Sequence, residues 1–372
     1  MFLPVKNGNL NATLSDFFQS LITSGMVGEV LVPLEIEGGK SVVPGLVKDP
    51  GLLRAVRPFV PLALVNSARL VSDLTFSDPG QRIGVVVRPC ELRALVELAK
   101  LKQVNLEHLL LIGVDCVGTL HPVDYRRMIE TGINVPENWV RETAPGDVPE
   151  GWELRPACGM CESIGSTVGR TGLHLGWLGM DVTTAIWVEG GEDILARWAG
   201  QPGLEAGEMP VTREDALNRL EETRREDERR ILAEFDERYA ETNALLDLFA
   251  TCLNCQNCRR ACPLCFCRQC VFESDLFTNR ESEEYVSWAA RKGAIELPAN
   301  KLLFHLTRAS HMGLSCVGCG QCESACPVKL PLTSLFKAAG RRLQDIFQYL
   351  PGRDPAEPLP VTIYREVELE PQ

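Results

Sequence analysis

Histidine is scarce in this chain of 372 residues: His108, His121, His174, His305 and His311 are the full set, and none is spaced from another like a pair of metal ligands. There is no H-E-x-x-H, no Walker A loop and no G-x-G-x-x-G. A zinc-protease helix, a P-loop and a standard dinucleotide fingerprint are therefore all unsupported. Basic charge is also short, at a net −12 and a pI of about 5.1. Nucleic-acid binding needs a basic face to displace counterions, so that class is disfavoured. No stretch approaches 18 uninterrupted apolar residues, so no membrane span is expected. The opening Met1-Phe-Leu-Pro-Val-Lys-Asn lacks a charged segment followed by an apolar one, so no signal peptide is apparent. The expected compartment is a reducing cytoplasm, where cysteines serve as metal ligands rather than bridges.

Cysteine is what the chain has in abundance, with 15 residues. Cys252, Cys255, Cys258 and Cys262-Pro263 read C-x2-C-x2-C-x3-C-P, and Cys316, Cys319, Cys322 and Cys326-Pro327 repeat that spacing. This is the two-cluster ferredoxin pattern for [4Fe–4S] centres. Each cubane needs four inward thiolates. The two-residue gaps wrap three around one cluster, and the fourth reaches across to the other. The expected sets are Cys252, Cys255, Cys258 with Cys326, and Cys316, Cys319, Cys322 with Cys262. One such run would also suit zinc, but two identical runs with both prolines favour iron–sulfur. The 53 residues between Cys262 and Cys316 exceed a minimal ferredoxin and read as helical at 283–292 and 300–309.

Upstream, the pattern changes. Thr13 to Ile22 reads as an amphipathic helix, and Glu29 to Ile36 as a strand interrupted at Pro33. Arg82 to Arg88 and Leu109 to Asp115 read as buried strands flanking a helix that starts at Pro89. Together they make a parallel, right-handed βαβ unit. Residues 132–157 read as a surface excursion, Ala185 to Glu189 as a strand and 200–212 as a linker. Thr212 to Phe249 reads as one long helix with Leu217, Leu220, Ile231, Phe235 and Tyr239 inward. Its charged run from Glu221 to Arg230 reads as a solvated face. The expected fold is an α/β core (1–200), a charged helical linker (201–250), an all-helical two-cluster ferredoxin domain (251–350) and a loosely ordered tail (351–372).

Four further cysteines lie in the α/β part. Cys90 follows the first strand of the βαβ unit and Cys116 the second, so both sit at the carboxyl edge where open α/β sheets place ligands. Cys158-Gly-Met-Cys161 adds a C-x2-C pair from a loop. Taken singly, Cys90 and Cys116 are ordinary small buried residues. Taken together, the four make a site for a third [4Fe–4S] cluster. Zinc accepts four thiolates too; the company of two redox clusters favours iron–sulfur. Cys265, Cys267 and Cys270 remain unassigned between structural, replacement-ligand and separate metal roles. His174, in a Gly-rich stretch, reads as packed or as a flavin contact.

Arg88-Pro-Cys-Glu-Leu-Arg-Ala-Leu-Val-Glu-Leu-Ala-Lys, Ile112-Gly-Val-Asp-Cys and the Cys158/Cys161 pair resemble the coenzyme F420 hydrogenase/dehydrogenase beta-subunit family. The following two-cluster segment, with Cys262-Pro-Leu-Cys-Phe-Cys-Arg-Gln-Cys and His311-Met-Gly-Leu-Ser-Cys, is similar to its formate dehydrogenase beta subunits. The resemblance implies FAD beside the core cluster, with coenzyme F420 or NAD(P) as exchangeable hydride carrier. It implies a catalytic partner of formate dehydrogenase or hydrogenase type, because nothing here resembles a molybdenum-cofactor domain. Candidate FAD contacts are Asn66, Ser67, Arg88, Arg170, Gly172, Gly176 and Gly179: arginine holds pyrophosphate bidentately and glycine allows close backbone approach. Arg88 stands where the family signature begins with lysine. The alternative is a flavin-free relay or a docking subunit of a heterodisulfide-reductase-like bifurcating complex.

Overall fold

Among the described residues, seven strands form one sheet: β1 (Phe2–Pro4), β2 (Glu29–Ile36), β3 (Ser41–Val47), β4 (Ile83–Val87), β5 (Leu109–Val114), β6 (Leu173–Gly176) and β7 (Ala185–Gly190). The order across it is β1-β7-β6-β5-β4-β2-β3. The computed structural model describes residues 1–132, 135–144, 148, 150–165, 172–198, 203–274 and 301–363. Its helices are α1 (Leu10–Thr23), α2 (Ser67–Leu74), α3 (Pro89–Lys100), α4 (Pro122–Glu130), α5 (Val135–Thr143), α6 (Pro156–Gly159), α7 (Glu192–Trp198), α8 (Val211–Arg238), α9 (Thr242–Ala250), α10 (Asn257–Ala261), α11 (Lys301–Met312), α12 (Gln321–Ser324) and α13 (Leu332–Phe347).

The apolar runs that read as buried strands are β4 and β5, buried at every residue. They pair in parallel, Val85 opposite Leu111, with α3 crossing between them. β2 and β6 extend the parallel centre on either side, and antiparallel strands close both edges. Alternation splits the side chains between two faces. Val30, Val32, Val86, Leu110 and Ile112 pack with Phe17 and Phe18 of α1 and Trp139 of α5. Leu31, Val85, Val87 and Leu111 pack with α2, α3 and the cysteine-rich helices. At roughly 1.5–3 kcal/mol for each large apolar side chain buried, this second face alone ties the two halves of the chain together. The cysteine-rich part thus sits on the sheet rather than on a tether. Among the described residues it carries helices and no strand.

Several sequence expectations change. β2 runs unbroken through Pro33, which faces Pro44 of β3. Its parallel pairing with β4 ends at Leu31, so no ladder there asks Pro33 for an N–H. The 132–157 stretch is not all surface: Trp139 is fully buried. The single long helix is two, because the chain leaves helical geometry between Tyr239 and Thr242. The buried face of α8 carries Leu220 as expected but also Arg213, Arg224 and Glu228, so its charged run is not simply solvated. Residues 351–363 pack on α3: Gly352 N and Tyr349 Oη both donate to Glu97 Oε1, at 2.8 and 2.6 Å. The helix expected at 283–292 lies outside the described residues.

Glu228 joins α8 to α13, pairing with Lys337 at 2.6 Å and Arg341 at 2.7 Å. Burial works against its charge, but a hydrogen bond from Glu162 and the two cations outweigh it and bring its pKa down to about 2. A carboxylate depressed on folding stabilises the fold above its unfolded pKa, and that contribution is lost as pH falls towards 2. Glu228→Gln should cost about 1.5–3 kcal/mol at neutral pH, the worth of hydrogen bonds to a charged group. Denaturant midpoints should differ between variant and parent at pH 7 and converge towards pH 3. Equal midpoints at pH 7 would remove Glu228 from the joint.

Candidate metal centre

The two ferredoxin-like motifs fold alike. In the first, Asn254 and Gln256 are left-handed, with φ of 53° and 58°. In the second, the equivalent positions are Gly318 and Gly320, with φ of 68° and 69°. Left-handed turns at these steps curl the backbone around the intervening cysteines and turn N–H groups inward. Short helices α10 and α12 then carry Cys258 and Cys322 and pack against each other. Gly320 has a second role: a Cβ there would lie 2.2 Å from Ala157 Cβ. Only glycine lets this motif close on the loop that holds Cys158.

Three cavities result, each lined by at least four cysteines from a different combination of segments. Cys252, Cys255, Cys258 and Cys326 line one. Cys262, Cys316, Cys319 and Cys322 line the second. Cys90, Cys116, Cys158 and Cys161 line the third, at the carboxyl ends of β4 and β5. The fourth cysteine of each motif therefore lies with the other motif's three. Cys319 borders the third cavity as well as the second, so these two are neighbours. Among the described residues no three such side chains converge closely enough for a single metal ion. A cubane needs four thiolates around a body of eight atoms, and each cavity brings together four such cysteines.

The surroundings bear the same sign. Burial pushes Cys116 up to about 12 and Cys258 and Cys319 to about 11, and holds Cys90 well above the ordinary thiol value. Crowded thiols in this setting need a metal to become thiolates. Cys158 is the exception: burial raises it, but Arg155 and the N–H and hydroxyl of Thr119 outweigh that and leave it low. Thr119 N donates to Cys158 Sγ at 3.3 Å, Asn254 N to Cys252 Sγ at 3.4 Å and Leu330 N to Cys326 Sγ at 3.4 Å. Buried Arg155 donates to Thr119 Oγ1, Ser324 Oγ and, at 3.7 Å, Cys158 Sγ. Asn66 lines the third cavity with its buried Nδ2 unpartnered by geometry, yet close enough to Cys319 to favour its thiolate. The orphaned Asn66 Nδ2 fits a buried anionic group in the third cavity.

Of the residues expected around FAD, Asn66 and Arg88 line the third cavity together, and Ser67 and the three glycines do not. Asn66 Oδ1 caps α2 through Ala68 N, and Ser67 donates to Glu91 Oε1 through both N and Oγ. Arg88 gives Nη2 to Val60 O and Leu62 O at 3.1 and 2.8 Å, so it braces a loop. A Cβ at Gly172 would meet Leu110 Cδ1 at 2.5 Å, and one at Gly176 would meet Arg213 Cζ at 2.3 Å. One at Gly179 would meet Arg213 Cα at 2.3 Å. The glycines make room for protein, chiefly Arg213. Arg170 lies outside the described residues.

Arg213 explains that room. Its guanidinium reaches Asp115 through both Nη1 and Nη2. Asp115 also accepts from Trp177 N and Leu178 N and meets His174 Nε2 at 2.8 Å. His174 is thus part of a buried ionic lock beside Cys116. Sequence reasoning missed Asp115, Arg155, Arg213 and Arg308; a charged Asp115 closing an apolar strand was the one signal available. Cys265 and Cys267 line a separate cleft of about 1000 Å³ with Arg259, Arg260 and Arg268. A hydrogen bond with Cys262, aided by Arg308 and opposed by burial, holds Cys265 down at about 6.

The chain is 26% identical over 382 residues to the F420-dependent formate dehydrogenase subunit beta of Methanocaldococcus jannaschii, covering 95% of each. It is a relative of formate dehydrogenase beta subunits. The F420-dependent formate dehydrogenase 1 subunit beta of Methanococcus maripaludis is 28% identical over 309 residues, 74% of each chain. The resemblance to oxidoreductase subunits thus extends well beyond the cysteine motifs. A chain of the F420-reducing [NiFe] hydrogenase complex from Methanosarcina barkeri superposes with a TM-score of 0.42 at 13% identity, over 62% of this chain and 86% of that one. No protein-family model matches the sequence. No helix among the described residues is long and apolar enough to cross a membrane.

Proposed function

We propose that this chain is the electron-transfer subunit of an oxidoreductase complex of formate dehydrogenase or hydrogenase type. It holds three [4Fe–4S] clusters, two of them in a helical ferredoxin-like domain, and works with FAD and coenzyme F420 beside a separate catalytic subunit. The observation that carries this reading is the gathering of twelve cysteines into three cavities, two of which share Cys319. Both relatives are F420-dependent, which favours the deazaflavin over a nicotinamide.

Because the glycines of 172–179 are filled by protein, the FAD seat proposed here is a groove. This groove of about 420 Å³ touches both Cys161 and Cys316; Lys337 and Arg341 on its wall already pair with Glu228, which leaves Arg93 and Arg225 as the candidates for a pyrophosphate. When bound, a flavin accepts a hydride as an electron pair and releases the electrons singly. The protein's share is to hold the ligand against the two thiol sets, in a groove lined by cations and by the carboxylates of Glu162, Glu228 and Asp345.

Anaerobic reconstitution tests the reading. About twelve iron atoms per chain are expected, four for each cluster, and Cys90→Ser should leave about eight. An unchanged iron count in Cys90→Ser would remove the core cluster. Arg225→Glu should weaken FAD retention at constant iron. Full iron with no FAD uptake would make the chain a flavin-free relay.

A further inference from the structure

We propose that Arg308 sets the reduction potentials of both C-terminal centres, as one buried cation shared between them. The inference rests on the reading of two [4Fe–4S] clusters there. Arg308 lies on α11 and is 4% exposed. Its Nη2 donates to Cys258 O at 3.2 Å and meets Met312 Sδ at 3.8 Å. Met312 Sδ in turn lies 3.6 Å from Cys262 Sγ. One guanidinium therefore stands against the third cysteine of the first motif and one sulfur away from the second set.

Among the described residues no carboxylate accounts for this charge. Nε and Nη1 are buried without a hydrogen-bond partner. Phe336 and Phe304 cover it, at 4.7 and 5.7 Å from its centre. A guanidinium does not shed its proton, and an unpaired buried charge is strongly unfavourable. Burial opposes its charge, and the thiolates of Cys258, Cys265, Cys262 and Cys322 outweigh that opposition. Three of these four cysteines belong to the two ligand sets.

The consequence is electrostatic. Each cluster gains one electron on reduction, so its net charge falls by one. A fixed cation in a dry site favours the reduced form and raises the potential. Because the cation is shared, its removal should move both centres in the same direction.

The test is a dithionite titration of the full-length, reconstituted chain followed by low-temperature electron paramagnetic resonance. Arg308→Met should make reduction of both C-terminal clusters at least tenfold less favourable, a drop of about 59 mV for one electron. Arg308→Gln keeps an amide donor without the charge and should show the same drop. Arg308→Lys should stay near the parent. Full clusters with unmoved midpoints in either neutral variant would overturn the proposal. So would failure of both neutral variants to load the clusters, which would make Arg308 an assembly residue. Absence of the two cluster signals from the parent chain would instead sink the function proposed above.

Discussion

Cys262→Ser is expected to damage the cluster set of Cys316, Cys319 and Cys322 and to spare that of its own neighbours Cys252, Cys255 and Cys258. Chain distance argues the opposite, since Cys262 follows Cys258 within one turn of helix. The cavities decide it: Cys262 faces the second set, and Cys326 faces the first. The crossing has a geometric cause. α10 and α12 pack together, and each fourth cysteine leaves its helix on the side of the other motif. Cys326→Ser should therefore show the mirror result. Resolved paramagnetic spectra of the two variants form the test. Loss of the Cys252–Cys258 signal in Cys262→Ser would refute the crossing. Survival of all signals would point to Cys265, whose sulfur shares a hydrogen bond with Cys262, as a substitute ligand.

Whereas Cys90 and Cys116 were read from strand ends, the two C-terminal cysteine motifs were legible because spacing survives without a structure. The same holds for β4, α3 and β5, where apolar runs and Pro89 fix strand, helix start and strand locally. What could not be read was pairing between distant charges. Arg213 and Asp115 are 98 residues apart and meet only once α8 folds back over the sheet. Glu228 looks solvated in its charged run, because its partners Lys337 and Arg341 come from α13. The glycines of 172–179 read as ligand contacts for the same reason. Absence of a side chain says that something approaches; whether it is a flavin or Arg213 depends on a helix that starts after β7.

The largest expected loss of stability follows from that approach. Arg213→Met should destabilise the chain by about 3–5 kcal/mol, the usual cost of removing one partner from a buried ion pair. Asp115 is fully enclosed, and Arg213 is the leading influence against the burial that would otherwise neutralise it. Without the guanidinium, the carboxylate keeps His174 and the N–H groups of Trp177 and Leu178 but has no counter-charge on α8. Methionine fills most of the volume, so the loss reports charge rather than a cavity. The double variant Asp115→Asn, Arg213→Met should lose less than the two single losses added together, because neither leaves a charge unpaired. Strict additivity in denaturant unfolding would refute the lock. Asp115 also precedes Cys116, whose N donates to Ile164 O at 3.0 Å beside the C-x2-C loop. Loosening the lock should therefore release iron from the core set before the two C-terminal sets, which lie on separate helices.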